Sequence, residues 1–263
     1  MPIIFIPMLI LAGVGAICGI VLSVASVAME APVDERVEAV RELLPGINCG
    51  ACGFAGCDTY AEAVVGGKAE ITACPPGGDT LRLALGKLMG VVAEPTRRQT
   101  AVVHCNGCNE HTTEKMDYIG EPSCVYAAAI YGGPSACAYA CLGLGDCAHV
   151  CPYDAVQLVN GVAKVDFSRC TGCKLCVDAC PKTMIDMVPG EGVAYVFCAN
   201  HDKGGIVRNL CAVGCTGCTL CAKACLEGAI TVRDFLAHVD YAKCKGCGLC
   251  VPACPRGTIS LNA

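Results

Sequence analysis

The sequence predicts an α+β protein made of small modules stapled together by metal, with one apolar helix at the N-terminus. Three observations lead to this prediction. Cysteine accounts for 26 of the 263 residues, one long cysteine spacing occurs twice between residues 137 and 254, and residues 3–28 contain no charged side chain. Because the chain has no tryptophan and only five phenylalanines, we expect metal centres to supply folding energy that a small apolar core cannot.

A C-x2-C-x2-C-x3-C-P run is the clearest motif. It occurs at Cys170, Cys173, Cys176 and Cys180, and again at Cys244, Cys247, Cys250 and Cys254. Bacterial two-cluster ferredoxins carry this run: three of its cysteines bind one [4Fe–4S] cube and the fourth binds the neighbouring cube. A second series precedes each run, at Cys137, Cys141, Cys147 and Cys151 and at Cys211, Cys215, Cys221 and Cys225. We therefore predict two tandem bacterial-type 2[4Fe–4S] ferredoxin domains, over residues 137–192 and 193–263.

The crossed ligation of such domains predicts which cysteines share a cluster. In the first copy Cys151 joins Cys170, Cys173 and Cys176, while Cys180 joins Cys141 and Cys147. In the second copy Cys225 joins Cys244, Cys247 and Cys250, while Cys254 joins Cys215, Cys218 and Cys221. Between the two series of the first copy, Asn160-Gly161 separates two apolar runs, which predicts the tight hairpin of a small ferredoxin sheet.

One position departs from the repeat. Leu144 stands in the first copy where Cys218 stands in the second. Three outcomes are open for this cluster: Cys137 serves as the missing ligand, the centre holds three irons, or the cluster is absent. We favour Cys137. Its counterpart Cys211 lies beside a complete motif, however, so a cysteine at this position has some further role.

Disulfides and zinc are the alternatives for these cysteines. Disulfides suit a small secreted scaffold, but the spacing here is that of cluster ligands. Proline also follows the last cysteine in three of the four groups, counting the two runs and the two series before them. Structural zinc uses pairs of C-x2-C motifs and has no need of a regular triplet with a remote fourth thiolate. Iron–sulfur clusters are therefore the favoured interpretation, and they imply a reducing compartment.

Residues 1–29 are predicted to be a transmembrane anchor, because the uncharged stretch is long enough to cross a bilayer. The alternative is a signal peptide ending near Ser26-Val27-Ala28, but no basic residue precedes the apolar run. The nearest basic residues follow the span, which favours a single-pass protein of the cell membrane with its cluster-bearing part on the cytoplasmic side.

Residues 30–95 are predicted to hold a single [4Fe–4S] cluster. A short amphipathic helix over residues 34–44 leads to Cys49, Cys52 and Cys57, and Cys74 follows before Pro75-Pro76-Gly77-Gly78. Three close thiolates and one distant thiolate can enclose one cube, with zinc as the alternative. Residues 79–92 are predicted to form a second amphipathic helix that serves packing.

Residues 96–136 are interpreted as a linker with extra cysteines. Cys105, Cys108 and Cys124 lie here, and together with Cys198 and Cys211 they are left over once five clusters have their ligands. Cys105, Cys108 and Cys124 could seat a sixth cluster with one more thiolate, or they could be unliganded structural cysteines. The sequence thus predicts five [4Fe–4S] clusters, with a sixth left open.

No catalytic motif accompanies the cysteines. The chain has no Gly-x-Gly-x-x-Gly loop or phosphate loop, and its formal net charge of −5 with scattered Lys and Arg excludes a basic stripe for nucleic acid. Clusters in series move single electrons and offer no place for a closed-shell substrate. The sequence therefore indicates an electron carrier with no substrate-transforming site of its own.

The order of modules resembles that of the B subunit of Rnf complexes, in the long form of clostridia and other anaerobes. The residues that carry the resemblance are Leu44-Pro45-Gly46, Asn48-Cys49-Gly50-Ala51-Cys52 and Cys74-Pro75-Pro76-Gly77-Gly78, followed by the tandem ferredoxin domains. The resemblance implies a component of an ion-translocating ferredoxin:NAD oxidoreductase that relays electrons from soluble ferredoxin towards membrane-embedded and flavin- or NAD-binding subunits, coupled to Na+ or H+ transport.

Three rivals have weaker sequence support. An iron–sulfur subunit of another membrane reductase or hydrogenase would share the ferredoxin modules, but it would not be expected to carry the Asn48–Cys52 segment behind an anchor. A corrinoid methyl-transfer protein needs a corrinoid-binding domain, for which no residues remain. A metal-stapled scaffold without redox work is the third, and metal analysis distinguishes it.

Overall fold

The computed structural model describes residues 2–28, 34–93 and 98–262. The chain divides into two compact units, with the boundary between Ala39 and Val40. Within the described residues there are ten helices and eight strands. The helices are α1 (Pro2–Ala28), α2 (Glu35–Leu43), α3 (Cys57–Val65), α4 (Gly78–Met89), α5 (Cys124–Ala129), α6 (Asp146–His149), α7 (Leu175–Asp178), α8 (Gly204–Leu210), α9 (Leu220–Ala224) and α10 (Cys250–Ala253). The strands are β1 (Gln99–Val103), β2 (Val156–Val159), β3 (Val162–Val165), β4 (Ile185–Pro189), β5 (Val193–Val196), β6 (Ile230–Arg233), β7 (Leu236–Val239) and β8 (Ile259–Asn262).

Helix α1 dominates the first unit. It has no acidic residue in its first turn and no basic residue in its last, and its described side chains, Met8 and residues 12–25, are largely exposed. In the described part of the chain, no helical stretch is both long and apolar enough to cross a lipid bilayer. The anchor predicted over residues 1–29 therefore stays a prediction, and its two end residues lie outside the described ones.

Four two-stranded antiparallel sheets form the second unit's framework, pairing β1 with β4, β2 with β3, β5 with β8 and β6 with β7. The Asn160-Gly161 hairpin is confirmed, since Val159 pairs with Val162 across the turn. Asn160 and Gly161 have φ angles of 49° and 79°, the left-handed pair that a tight hairpin turn requires.

Strand β1 lies in the segment that the sequence predicts to be a linker, yet it pairs with β4 of the first ferredoxin module along all five residues. Strand β5 pairs with β8 in the same way in the second module. The structural repeat therefore begins at Gln99, upstream of the cysteine repeat at residue 137. A continuous apolar run shortly before Cys105 and before Cys198 is the sequence feature that both strands share.

Tyr195 lies at the centre of an apolar cluster that links the two modules. The buried members are Val102, Val188, Val193 and Tyr195, with Phe167, Phe197, Tyr241 and Cys244 packed against them. Its ring is within 5.4 Å of Phe167 and 6.5 Å of Tyr241, measured between centroids. Its hydroxyl donates to the carbonyl oxygen of Pro189 at 2.7 Å. One aromatic side chain thereby holds strands from both repeats.

Replacing Tyr195 with alanine should destabilise the folded chain by about 3–5 kcal/mol, because a fully buried ring leaves a cavity. Tyr195→Phe should cost only about 1–3 kcal/mol, since the packing stays and one buried carbonyl loses its donor. Anaerobic denaturant unfolding followed by circular dichroism measures both. Tyr126→Ala, at a tyrosine that is 60% exposed, is the matched control, and equal destabilisation by Y195A and Y126A would contradict the assignment of Tyr195 to the core.

Candidate metal centres

Four cavities in the second unit are each lined by four cysteines. The sets are Cys151, Cys170, Cys173 and Cys176; Cys124, Cys141, Cys147 and Cys180; Cys215, Cys218, Cys221 and Cys254; and Cys105, Cys137, Cys198 and Cys211. The void volumes are similar, about 320, 350, 350 and 340 Å³ in that order. We call each set of four cysteines a cage. All the described cysteines are free of disulfide bonds.

Two further sets of cysteines lie together. The pKa of Cys250 is raised by burial and by the nearby Cys244, Cys225 and Cys247 thiols. The pKa of Cys74 is likewise raised by burial and by Cys52, Cys49 and Cys57. The structure therefore brings together the sets predicted around Cys49, Cys151, Cys215 and Cys225.

The structure differs from the sequence prediction at the Leu144 site. Cys137 does not line the cavity of Cys141, Cys147 and Cys180, and Cys124 does. Cys137 lines the separate cavity of Cys105, Cys198 and Cys211. The expectation that Cys137 replaces the missing ligand is thus not met, because Cys124, which lies outside the ferredoxin run, supplies the fourth cysteine of this cavity.

Asp146 explains why Cys124 reaches this cavity. One of its carboxylate oxygens accepts hydrogen bonds from the Ser123 hydroxyl at 2.9 Å and from the Val125 N–H at 3.2 Å. Burial alone would raise the pKa of Asp146, but hydrogen bonds from the Cys124 N–H, Ser123 and Val125 lower it below its ordinary value. The first turn of α5 is thereby held against the start of α6, where Cys147 lies.

The loop around Leu144 keeps the shape of its counterpart although the thiol is missing. Gly143 and Gly217 precede Leu144 and Cys218, and their φ angles are 68° and 66°. A Cβ on Gly143 would lie 2.2 Å from the carbonyl oxygen of Gly161, and one on Gly217 would lie 2.8 Å from that of Phe235. Both loops therefore require glycine to pass a hairpin turn, and only the ligand differs.

The three cysteines predicted to seat a sixth cluster do not lie together. Cys105 and Cys124 line two different cavities. Cys108 lines neither of them, and its sulfur lies 3.0 Å from Nδ1 of His111. The sequence offered no fixed spacing that would have assigned Cys105 or Cys124, because each joins cysteines that are distant in the chain.

Backbone N–H groups point at the cage sulfurs. Met184 donates to Cys180, Ala229 to Cys225 and Thr258 to Cys254, at 3.3–3.4 Å from nitrogen to sulfur. Each donor lies four residues after its acceptor, beyond a proline or leucine, so the geometry repeats through the modules. Such donors stabilise negative charge on the sulfurs and are one of the means by which a protein tunes a cluster.

Burial keeps these thiols protonated unless a cation replaces the proton. Burial and neighbouring cysteines raise the pKa of Cys147 and of Cys176 to about 12, and that of Cys221 to about 11. A metal core must therefore displace protons when it binds, and it then neutralises the clustered charge.

Across the described ranges, no three His, Cys, Asp or Glu side chains lie as close as a single metal ion requires. Sets of four soft sulfur donors with inward N–H groups fit an iron–sulfur cube.

Tyr153 lines the cavity of the Cys151 cage. Burial raises its pKa, and so do the nearby thiols of Cys173, Cys49 and Cys74. Cys173 in turn has its pKa raised by burial and by Cys49. The cage of Cys151 therefore adjoins the set of Cys49, Cys52, Cys57 and Cys74. Cys176 and Cys147 also interact, so the two cages of the first module are neighbours.

Replacing Cys124 with alanine should remove between about one and four irons per chain, according to whether a three-iron centre survives. The double variant C124A/L144C should regain them, because residue 144 stands at the ligand position of the repeat. Iron and acid-labile sulfide analysis on anaerobically purified protein measures both. Cys108→Ala is the control and should lose none. An unchanged iron content in C124A would show that Cys124 is not a ligand.

The chain matches known families in three places. Residues 44–76 match the family described as "Putative Fe-S cluster", and residues 163–186 and 237–260 match the family described as "4Fe-4S binding domain". The first range contains Cys49, Cys52, Cys57 and Cys74, and the other two contain the C-x2-C-x2-C-x3-C-P runs.

Curated relatives extend over most of the chain. The B subunit of the Na(+)-translocating ferredoxin:NAD(+) oxidoreductase complex of Acetobacterium woodii is 45% identical over 91% of this chain and 72% of its own length. The B subunit of the ion-translocating oxidoreductase complex of Methanosarcina acetivorans is 38% identical over 89% of each. The B subunit of the proton-translocating ferredoxin:NAD(+) oxidoreductase complex of Clostridium ljungdahlii is 39% identical over 86% of this chain and 81% of its own length.

Proposed function

Because the chain belongs to the Rnf family of ion-translocating oxidoreductase B subunits, and is thus an electron-transfer component of such a complex, we propose that it accepts electrons from soluble ferredoxin. It passes them one at a time towards the membrane-embedded and the flavin- or NAD-binding subunits, in a complex that moves Na+ or H+. The relatives carry these activities in their names, and the neighbouring cages are the observation that supports the proposal for this chain.

The proposal assigns five [4Fe–4S] clusters, each to a set of four cysteines. The sets are Cys49, Cys52, Cys57 and Cys74; Cys124, Cys141, Cys147 and Cys180; Cys151, Cys170, Cys173 and Cys176; Cys215, Cys218, Cys221 and Cys254; and Cys225, Cys244, Cys247 and Cys250. When bound, each cluster supplies a one-electron carrier. The chain's own residues position it: backbone N–H groups at Met184, Ala229 and Thr258 stabilise the sulfurs, and buried apolar side chains keep water from the cavities.

Electrons are proposed to enter at the second ferredoxin module. Among the cysteine sets in the described residues, the exposed members are Cys218 and Cys247, and both belong to this module. Residues 193–263 carry seven Lys and Arg against four Asp and Glu, whereas the rest of the chain has an acidic excess. A positive surface around exposed cages would steer an acidic donor protein to them and would make the association rate sensitive to salt.

The other end of the path is proposed to lie at the membrane. Helix α1 has no charged side chain, and Ile17, Ile20 and Leu22 on it are 64–70% exposed. An uncharged helix with its apolar side chains uncovered is better placed in lipid than in water. The proposal therefore includes a single-pass anchor over residues 1–29, with the clusters on the cytoplasmic side, where a reducing compartment preserves free thiols.

In the whole complex, Cys52→Ala should lower the rate of ferredoxin-driven NAD reduction at least about 100-fold. Losing a cluster ligand should cost more than losing a residue that only hydrogen-bonds to a ligand. The clusters of residues 193–263 should still be reduced by ferredoxin, as EPR of the frozen reaction would show. Cys18→Ala, outside every cage, is the control and should turn over normally. Unimpaired NAD reduction in C52A would rule out this path.

A further inference from the structure

Four cysteines form a cage that no ferredoxin motif accounts for. Cys105, Cys137, Cys198 and Cys211 line one cavity and are each only 7–9% exposed. The cavity's void volume, about 340 Å³, falls within the 320–350 Å³ range of the three cages that contain the motif cysteines. This cavity thus resembles the predicted cluster sites both in size and in its lining of four cysteines.

The cage takes two cysteines from each copy of the repeat. Cys105 follows β1 and Cys198 follows β5 at the same distance, while Cys137 and Cys211 stand 74 residues apart, as do the paired motif cysteines. The ends of the two strands are tied together, because His104 Nδ1 donates to the carbonyl oxygen of Val196 at 2.7 Å. A backbone bridge also joins Thr112 to Cys211. The cage therefore lies on the boundary between the two modules.

Two of the four sulfurs accept hydrogen bonds from Asn200. Asn200 donates from Nδ2 to Cys137 at 3.2 Å and from its backbone to Cys198 at 3.4 Å. Gly107 and Val213, which lie two residues after Cys105 and Cys211, also line the cavity. Asn200 is itself only 2% exposed, so its side-chain amide is shielded from water and donates within the cavity. N–H donors to cysteine sulfurs also occur in the motif cages, at Cys170, Cys180 and Cys254.

We infer that Cys105, Cys137, Cys198 and Cys211 bind a sixth [4Fe–4S] cluster, which joins the electron paths of the two ferredoxin modules. Its contacts reach the cages on both sides. The N–H of Cys215, in the cage of the second module, donates to Cys198 at 3.3 Å. Cys105 belongs to the same buried cluster as Cys147 of the first module's cage, and Cys141 packs against that cluster. This cage therefore adjoins a cage of each module.

The role as a link rests on the proposed function, whereas the cluster itself does not. In the link, the second module loses one electron to the site, and the site then passes one electron to the first module. No bond is made or broken and no proton moves. Reduced ferredoxin is the reductant, and the membrane-embedded subunits are the acceptor.

Metal analysis of the anaerobically isolated full chain tests the site. The chain should contain about 24 irons and as many sulfides, against about 20 for five clusters. The C105A/C198A variant, which removes one ligand from each repeat, should lose about four irons, and the control Cys108→Ala should lose none. Zinc in the place of those four irons, or an unchanged iron content in C105A/C198A, would overturn the inference.

A gentler variant keeps the test valid if C105A/C198A does not fold. Asn200→Asp keeps the side chain's shape and the oxygen that accepts the Asp202 N–H at 2.6 Å, but it replaces the donor to Cys137 with an oxygen. Redox titration by EPR should show one cluster with a lower midpoint potential and the others unchanged. If no potential shifts, the sulfur of Cys137 does not belong to a redox centre.

Ferredoxin-driven reduction tests the link separately. In C105A/C198A within the complex, ferredoxin should reduce the clusters of residues 193–263 at the normal rate, while reduction of those at residues 49–180 should slow at least about 100-fold. Dithionite should still reduce both sets. Normal reduction of both sets by ferredoxin in this variant would refute the link. Failure of ferredoxin to reduce the unaltered complex would refute the proposed function and leave the iron analysis standing.

Discussion

The second unit depends on one constraint: buried sulfurs from distant segments must meet around shared cavities. Cys180 lies 39 residues after Cys141 and Cys254 lies 39 after Cys215, yet each pair lines one cavity. The sheets that frame these cavities have only two strands each, and strands of four or five residues cannot bury a large core on their own. Metal ligation therefore supplies cross-links that the side-chain packing lacks, and the chain's apolar groups are arranged around the cages.

The apolar side chains have a second task, which is to set the environment of the sulfurs. The buried residues around the first module, such as Val103, Val162 and Ile185, pack directly against its cysteines. Burial raises the pKa of the thiols because it disfavours a lone negative charge. The same low-dielectric surroundings make the N–H donors from Met184 and Thr258 more effective. Folding and redox tuning thus use the same contacts, and a packing change near a cage is expected to affect both.

Sets of cysteines that lie next to one another are what suit this fold to carrying electrons over a distance. Tyr153 connects the Cys49 set with the first module, and Tyr195 packs the first module against the second. The second module exposes Cys218 and Cys247 and carries an excess of basic residues, whereas the cages towards the N-terminus are more enclosed. The proposed direction of electron flow rests on this contrast between a more exposed, basic end and more enclosed cages.

The sequence by itself determined the two ferredoxin-type motifs, the Asn160-Gly161 hairpin and most of the cysteine sets that the structure brings together, because cluster spacing and turn residues are local patterns. It could not decide the partners of Cys105, Cys124, Cys137, Cys198 and Cys211, since no fixed spacing relates them. Only the tertiary structure showed that Cys124 lies beside Cys147, held there by the hydrogen bonds of Asp146. It also showed that Cys137 shares a cavity with Cys105, Cys198 and Cys211. The reason is physical: the role of a cysteine depends on where its sulfur lies in space. For Cys105, Cys198 and Cys124 that position follows from the pairing of β1 with β4, the pairing of β5 with β8 and the capping of α5.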